Sequence, residues 1–448
     1  MAKKKKKKNS LVPIFIVLII VILVLGAALA VIYVKDVGGM KEKINELISS
    51  AANRAAQNIE NGGKNEHKHS FGEWTTTKTP TCTEKGERTR ECSCGVKEKE
   101  EISTISHEYE NGVCVRCGKE EAGLNTDLSI HFLELGNVYT GDCVLLDCGD
   151  VEILIDAGSR NGSAATIKNY VDQYCEDGKL EYVIATHAHQ DHIAGFVGTK
   201  SAPGIFASYE CETIIEFAKT DATSKVYNDY CAARNAEVEA GAKCYTAAQC
   251  IKGEDGAKSE YQIADGVKMT VLDSYYYYNK SGDENNYSVC VLIENGDQHY
   301  LFTGDLEKDG EEKLVEMNDL PHCELFKGGH HGSYTASNDV LLNAVTPDNI
   351  CICCCAGSDE YSSNPDRMFP ALDALERMVK HTENIFVTTM YTGDYAKNDT
   401  FTSFNGNIVA TFSEGKVDIV GSANSIPLLL TEWCKINRPT VYKGEKDE

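Results

Sequence analysis

Residues 182–192 read YVIATHAHQDH, an apolar run typical of a buried strand that leads directly into the motif H-x-H-x-D-H. In an extended segment, His187 and His189 point the same way, so both imidazoles can reach one metal ion. Asp191 and His192 are placed to bind a second ion. Three histidines and one aspartate at these spacings arise by chance in about one such chain in two thousand, so the motif indicates a metal site.

Two later segments supply the remaining candidate ligands. Asp305 ends the strand-like run HYLFTGD, and a carboxylate at a strand end can bridge two ions about 3.5 to 4 Å apart. One of His330 and His331 follows the apolar run 323–326 and is the last expected ligand. Asp156 ends the run VEILIDAG, and we expect it to orient the histidine loop without binding metal.

This residue set predicts metal-assisted hydrolysis. Zinc suits neutral imidazole and carboxylate ligands, and manganese is the alternative metal for the two catalytic ions. We expect Asp191 to orient the attacking water while it binds the second metal. The histidine of the pair that is not a ligand, His331 if His330 binds the metal, is a candidate for holding the leaving group or a phosphate, together with Lys327 and Ser333. The alternative role for these three is loop structure.

The motifs THAHQDH, FTGDLE and LIDAG resemble the metallo-β-lactamase superfamily. KGGHHGS, together with GDCVLL and EILIDAG, is similar to the hydrolase domain of ComEC-type competence proteins. This resemblance runs from about residue 128 to 420 and implies an α/β fold, an αββα sandwich with its metal site at one sheet edge. It implies that His187, His189, Asp191, His192, Asp305 and His330 or His331 are the metal ligands. A further histidine usual in superfamily β-lactamases is absent, because residues 193–304 contain only His299.

Several functions remain open for this hydrolase domain, residues 123–448. The first is a dinuclear-metal phosphodiesterase or nuclease-type enzyme like the ComEC domain. The others are a hydrolase of another ester class, such as phosphocholine esters or lactones, and a noncatalytic surface binding protein. Fold alone does not decide among them.

The first 66 residues predict the compartment. A basic tail, 1–10, precedes residues 11–34, which have no charged side chain and as a helix would reach about 36 Å, enough to span a bilayer. The lysines at 3–8 predict a single-pass protein with a cytoplasmic N-terminus and an extracellular catalytic domain. The lipid bilayer is thus an expected partner. Cleavage as a signal peptide, near residues 28–30, followed by secretion is the alternative. Residues 35–66 form a stalk or linker.

Residues 67–122 are predicted to be a cysteine-rich, zinc-ribbon-like module. Cys92 and Cys94, then Cys114 and Cys117, form two pairs that each precede a glycine, and four such thiolates could hold one structural zinc ion. Cys82, His67, His69 and His107 are further candidate ligands. Disulfides are the alternative, given the expected compartment. The stretch HSFGEWTTTKTPTCTEKGERTRECSCG resembles small modules of Gram-positive surface proteins, which implies attachment or spacing.

Charge and cysteine content limit the partners. The net charge is -24, so the chain should repel bulk polyanions, and nucleic acid is a less favoured partner than a small phosphodiester or other ester. The sequence does not indicate an oligomeric state. Cysteines total 19, an odd number, and those in the run CICCC at 351–355 are expected to be buried free thiols on a strand.

Overall fold

The computed structural model describes residues 69–105, 107–110, 112–120, 123–393, 400–413 and 415–445. Among them, 69–72 and 91–96 belong to one compact unit, and 73–90 with those from 97 onward belong to another. The second unit contains two large β-sheets. The predicted boundary between residues 122 and 123 stays a prediction.

The first large sheet has eight strands and is mixed. In spatial order they are β11 (Lys243–Thr246), β10 (Glu210–Glu216), β9 (Lys179–Ala185), β8 (Glu152–Ile155), β7 (Val144–Cys148), β6 (Leu128–Phe132), β20 (Ile408–Ser413) and β21 (Lys416–Gly421). Pairing is parallel from β8 to β11 and antiparallel elsewhere.

The second large sheet repeats this plan. Its order is β12 (Glu260–Ala264), β13 (Val267–Val271), β14 (Val291–Asn295), β15 (Gln298–Phe302), β16 (Leu325–Lys327), β17 (Ile350–Ala356), β18 (Ile385–Tyr391) and β19 (Phe401–Ser403). Pairing is parallel from β15 to β18 and antiparallel at both ends. Strand β17, ICICCCA, is buried along its whole length, as expected of a parallel strand covered on both faces.

The helices of this unit lie beside the sheets. They are α1 (Ser163–Val171), α2 (Gln190–Val197), α3 (Lys225–Ala240), α4 (Ala247–Lys252), α5 (Lys308–Met317), α6 (Asp339–Val345), α7 (Leu372–Met378) and α8 (Glu432–Asn437). One apolar core joins side chains of both sheets to Ile167 of α1 and Phe196 of α2. A second core packs the second large sheet against Leu314 of α5 and Leu342 of α6. The expected α/β fold of two sheets with helices is therefore confirmed.

Two parallel strand pairs bring the motif loops to the ends of strands. Strand β8 is followed by Asp156, and its parallel neighbour β9 is followed by Thr186 and His187. Strand β15 leads to Asp305, and its parallel neighbour β16 leads to the His330–His331 loop. Because carboxyl ends of parallel strands meet at one edge of a sheet, each sheet contributes two of these loops together.

Small strands make up the part before residue 120. Strands β1 (Thr75–Lys78), β2 (Gly86–Glu91) and β3 (Lys97–Ile102) form an antiparallel sheet with little burial, and β4 (Tyr109–Glu110) pairs with β5 (Val113–Cys114). The predicted membrane helix, 11–34, and the predicted stalk, 35–66, lie outside the described residues. Within the described ranges, no helix has the length and apolar character needed to cross a bilayer.

Candidate metal centre

Four buried side chains converge where loops of the two large sheets meet. They are Asp142, His192, Asp305 and His331, and one possible ligand atom from each lies within 4.8 Å of the others. Three belong to the predicted ligand set, whereas Asp142 was not predicted. Carboxylate oxygen and imidazole nitrogen are donors that suit zinc.

Asp305 lies at the centre of this group. Its Oδ2 is 3.0 Å from His192 Nε2, 3.2 Å from His331 Nε2 and 3.8 Å from His330 Nε2. The backbone N–H of Asp305 donates to Ser288 Oγ at 3.1 Å, which fixes the carboxylate at the strand end. This is the position required of a shared ligand.

Two histidine rings are held in orientation by hydrogen-bond partners on the side away from Asp305. His192 Nδ1 is 2.7 Å from Asp156 Oδ2, and His331 Nδ1 is 3.0 Å from the carbonyl oxygen of Cys353. A hydrogen bond donated by Nδ1 at each ring orients Nε2 toward Asp305, as in metal-binding histidines generally. Asp156 thus lies where the sequence predicted an orienting carboxylate.

Asp156 also fixes the histidine loop itself. It accepts hydrogen bonds from the backbone N–H of Thr186 at 2.8 Å and from the Thr186 hydroxyl at 2.7 Å. Its own backbone has a positive φ of 59°, a region that non-glycine residues rarely adopt. Such a conformation persists where the surrounding contacts require it, which is common at functional sites.

The remaining motif histidines adjoin the cluster. His187 Nε2 lies 3.0 Å from His189 Nδ1, and the ring centroids of His187 and His192 are 4.1 Å apart. His187 is buried and His189 is partly exposed. The structure therefore brings the H-x-H pair beside His192, as the two-metal interpretation requires.

Asp191 lies in the first turn of helix α2 and faces the same centre. Its Oδ2 lies 3.5 Å from His331 Nε2 and accepts a hydrogen bond from the Tyr361 hydroxyl at 2.6 Å. A carboxylate in the first turn of a helix is also stabilised by the helix dipole. Tyr361 was not predicted.

The two adjacent histidines of the last motif have different environments. His331 is fully buried within the cluster, whereas His330 is partly exposed, with Nδ1 3.3 Å from Glu307 and 3.2 Å from the Thr335 hydroxyl. Both have positive φ, 45° for His330 and 54° for His331, within the turn 329–332. This geometry places His331 within the cluster and leaves His330 beside it.

The side chains of Lys327 and Ser333 are buried and contact other protein groups, so neither faces the space where a substrate would bind. The Lys327 ammonium is buried, forms an ion pair with Asp142 and lies 3.7 Å from Asp305 Oδ1. Ser333 is buried, and its hydroxyl lies 2.9 Å from the Thr335 hydroxyl. Lys327 thus balances the carboxylates of the cluster, and Ser333 contributes to the loop that carries His331.

Strong electrostatic coupling sets the protonation of the cluster. Burial alone would lower the pKa of His192, but the charges of Asp305 and Asp156 raise that pKa well above its ordinary value. Burial would likewise raise the pKa of Asp305, but His192 and His331 hold it well below its usual range. The carboxylates of the cluster are thus balanced by protons on the imidazoles. In such an environment a divalent cation can displace those protons.

Unpaired buried atoms support the fit of a metal ion. Among the described residues, Asp305 Oδ1 and His331 Nε2 are buried and make no hydrogen bond of good geometry. Unsatisfied buried polar atoms are costly, and an ion bound by these residues would satisfy them.

Asp142 carries a signal that sequence reasoning missed. It ends the triplet Thr140-Gly141-Asp142, which repeats the Thr303-Gly304-Asp305 triplet of the predicted bridging ligand, although residues 392–394 carry a third copy. In the structure, the Asp142 backbone N–H donates to the Asp191 carbonyl at 3.0 Å. Repetition of the triplet next to an apolar strand could have marked it.

The cysteine-rich part is grouped differently from the prediction of one site. Cys114 and Cys117 lie with Cys82 and His107, whereas Cys92 and Cys94 lie with His69, each group having its ligand atoms within 4.8 Å. The predicted set of Cys92, Cys94, Cys114 and Cys117 is thus replaced by two groups, each within one compact unit. Two of the spare ligands named from the sequence complete the larger group.

Residues 136–207 match the family model of the Metallo-beta-lactamase superfamily. The chain is similar to ComE operon protein 3 of Bacillus subtilis (strain 168), with 24% identity over 37% of this chain and 20% of that protein. It is also similar to Recombination protein 2 of Haemophilus influenzae, with 25% identity over 44% of this chain and 21% of that protein. The matched part thus spans about a fifth of these relatives' length.

Solved structures with similarity include metallo-β-lactamases. The metallo-β-lactamase SMB-1 bound to 2-mercaptoethanesulfonate has 13% identity and a TM-score of 0.28, covering 47% of this chain and 80% of that one. A metallo-β-lactamase from Hirschia baltica has 17% identity and a TM-score of 0.22, covering 42% of this chain and 72% of that one.

Proposed function

We propose, starting from the metallo-β-lactamase superfamily domain that this chain contains, that it is a metal-dependent hydrolase of phosphodiesters. One observation carries the proposal. Donor atoms of Asp142, His192, Asp305 and His331 converge within 4.8 Å in a buried cluster that keeps unpaired ligand atoms. His187, His189 and Asp191 extend that cluster to a second set of donors, which supports a dinuclear site.

The chemistry requires a metal that these residues would hold. A bound divalent metal would lower the pKa of water and neutralise negative charge that develops on the substrate. Asp191 orients the attacking water, and the Tyr361 hydroxyl, 2.6 Å away, keeps that carboxylate in place. Asp156 and the Cys353 carbonyl orient His192 and His331 from behind.

His330 is the proposed proton donor to the leaving group. It is the partly exposed member of the histidine pair, and its Nε2 points toward the centre at 3.8 Å from Asp305. Glu307, 3.3 Å from Nδ1, holds the ring in this orientation, and an imidazole placed beside the substrate site suits a general acid. His330 therefore takes the role that the sequence analysis left to the spare histidine of the pair.

The space beside the centre favours a short substrate over a long polyanion. An open cavity of about 520 Å³ adjoins His189 and is lined in part by Asp221, Asp283 and Glu284. These carboxylates repel a long chain of phosphates, as does the net charge of -24. A single phosphodiester, neutralised at the metal centre, escapes most of that repulsion.

The names of the relatives support phosphodiester chemistry without specifying it. One relative is named Recombination protein 2, and another, from Neisseria gonorrhoeae, is named Competence protein ComA. Short nucleic acid ends and small phosphodiesters are therefore the proposed substrate class. Anchoring of the domain outside the cell by residues 11–34 is proposed on the sequence alone.

A substrate panel tests this function. The full chain is assayed with bis-p-nitrophenyl phosphate, short single-stranded DNA, a phosphocholine ester and a lactone, each with and without chelator. We expect chelator-sensitive turnover in the phosphodiester arms and a loss in the His330→Asn variant when the leaving group is a poor one. Turnover confined to the lactone would contradict the phosphodiester assignment, and no metal-dependent turnover in any arm would favour a noncatalytic surface binding protein.

A further inference from the structure

A second candidate metal site lies in the small strands before the hydrolase domain. Cys114 and Cys117 flank a tight turn in which the Gly118 N–H donates to the Cys114 carbonyl at 2.8 Å and Gly118 has φ 75°. The Cys114 N–H in turn donates to the Lys119 carbonyl at 2.8 Å. This turn holds both cysteine side chains on the same side of the strand pair β4–β5.

Two further ligands reach that turn from separate segments. Cys82, in the connection between β1 and β2, has its sulfur 3.9 Å from the sulfur of Cys114. His107, just before β4, has Nδ1 3.4 Å from the sulfur of Cys117. One ligand atom from each of these four residues lies within 4.8 Å of the others.

These separations match tetrahedral zinc coordination. With zinc–sulfur bonds of about 2.3 Å and zinc–nitrogen bonds of about 2.0 Å, tetrahedral geometry puts two sulfurs roughly 3.8 Å apart and a sulfur and a nitrogen roughly 3.5 Å apart. The two measured separations, 3.9 and 3.4 Å, agree with those values. Three thiolates and one imidazole form a ligand set that selects zinc over harder cations.

Lack of an apolar core provides independent support. Within residues 73–90 and the described residues of 97–120, those that are buried are Cys82, Gly86, Ser103 and Cys114. Strand β1 is exposed throughout, and β3 alternates exposed and partly buried residues. So little apolar burial contributes only weakly to ordering these strands, whereas a bound metal would contribute its binding free energy to folding.

The smaller group repeats part of this geometry. Gly95 donates its N–H to the Cys92 carbonyl at 2.8 Å and has φ 88°, and Cys94 sulfur lies 3.2 Å from His69 Nδ1. Each group also contains a histidine whose ring contacts an aromatic ring two residues later, Phe71 or Tyr109. The larger group adds a fourth ligand, and so it is the complete site.

We propose that Cys82, His107, Cys114 and Cys117 bind one structural zinc ion that is separate from the catalytic centre. The ion would tie the connection between β1 and β2 to the β4–β5 turn. This inference does not depend on hydrolase activity, because no residue is shared between the two sites.

Cobalt substitution of the full chain tests the site. Thiolate ligands give cobalt(II) a strong near-ultraviolet charge-transfer band, whereas the catalytic cluster offers only nitrogen and oxygen donors. We expect the band in the wild-type chain. Cys117→Ser should lack the band and bind one metal ion per chain fewer, whereas His107→Cys, which keeps four ligands, should retain the band. Cys117 is exposed, so its replacement should not prevent folding.

The controls distinguish this site from other thiols. Cys231→Ser, a partly exposed cysteine in α3, should leave the band unchanged, and Cys94→Ser should leave the metal held by Cys117 in place. Three results would overturn the proposal: a band unchanged in Cys117→Ser, a band lost in Cys94→Ser alone, or a Cys82–Cys114 disulfide found by mass spectrometry in protein purified without oxidant.

Discussion

The Nε2 atom of His192 lies 3.0 Å from Oδ2 of Asp305, although 113 residues separate them in the chain. His192 follows a strand of the first large sheet, and Asp305 follows a strand of the second. Packing of the two sheets therefore determines the centre, and neither sheet could form it alone. The Asp305 carboxylate thus lies between His192, from the first sheet, and His331, from the second.

Replacing the central carboxylate should weaken metal binding and sharply reduce turnover. Asp305→Asn keeps the size of the side chain but removes the charge that faces His192 and His331. We expect kcat/KM for bis-p-nitrophenyl phosphate to fall by roughly 100-fold or more, with lower metal content by mass spectrometry. Asp150→Asn, at an exposed turn, is the matched control and should retain both. Chelator-sensitive turnover at the wild-type rate in Asp305→Asn would contradict the assignment.

Asp156 should act through His192 and not on substrate. Asp156→Asn replaces the acceptor of His192 Nδ1 and of the Thr186 N–H, and we expect metal affinity to fall by about 10- to 100-fold. At saturating metal, KM should stay near the wild-type value, because the residue is buried behind the ring. Competition with a chromophoric chelator measures the affinity. An unchanged affinity combined with a raised KM would show a substrate contact instead.

His131 should make stability fall in mild acid. It is buried, with Tyr170 and Ser129 as hydrogen-bond neighbours, and burial lowers its pKa from 6.5 to about 4. Between those two pH values the unfolded chain binds a proton that the folded chain does not, so stability is present above pH 6.5 and is lost as the pH falls toward 4.

The contribution of His131 to the unfolding free energy is large enough to measure. The shift corresponds to at most about 3 kcal/mol of unfolding free energy. His131→Gln keeps a polar side chain of similar size but does not titrate, so its unfolding free energy should depend less on pH between 7 and 4. Denaturant unfolding at several pH values measures the difference. Parallel pH profiles for the two proteins would show that His131 does not contribute.

The thiols of strand β17 should be unreactive in the folded protein. Cys351, Cys353, Cys354 and Cys355 are buried, and burial raises the pKa of Cys353 to about 12. Thiolate is the reactive form, so labelling with a disulfide reagent should be slow until denaturant is added. Peptide mapping after timed labelling identifies which cysteines react. Rapid labelling of Cys353 in native protein would contradict the buried packing, with partly exposed Cys231 as the positive control.

The sequence predicted those residues of the centre that belong to local motifs. The H-x-H-x-D-H loop, Asp156 and Asp305 could be placed because each ends an apolar run that reads as a strand. Asp142 could not be placed from one motif alone, since its Thr-Gly-Asp triplet occurs three times and the packing of the sheets decides that this copy joins the centre. The choice of His331 over His330 was likewise not predictable, because it depends on a turn with two positive φ values.

The cysteine-rich part shows the same limit at shorter range. Sequence identified Cys92 with Cys94 and Cys114 with Cys117 as pairs, since each is local. It could not predict how pairs combine with distant ligands such as Cys82 and His107, because strand pairing decides that. Local spacing therefore identifies the pairs, whereas strand pairing determines which distant side chains lie beside each pair.

Anomalous diffraction at the zinc edge from crystals grown with zinc is the most direct test of the metal centre. We predict an anomalous peak within bonding distance of His192 Nε2, Asp305 and His331 Nε2, with Asp142 beside it and a second peak next to His187 and His189. Crystals with strong zinc peaks elsewhere, and none at Asp305, would contradict the account.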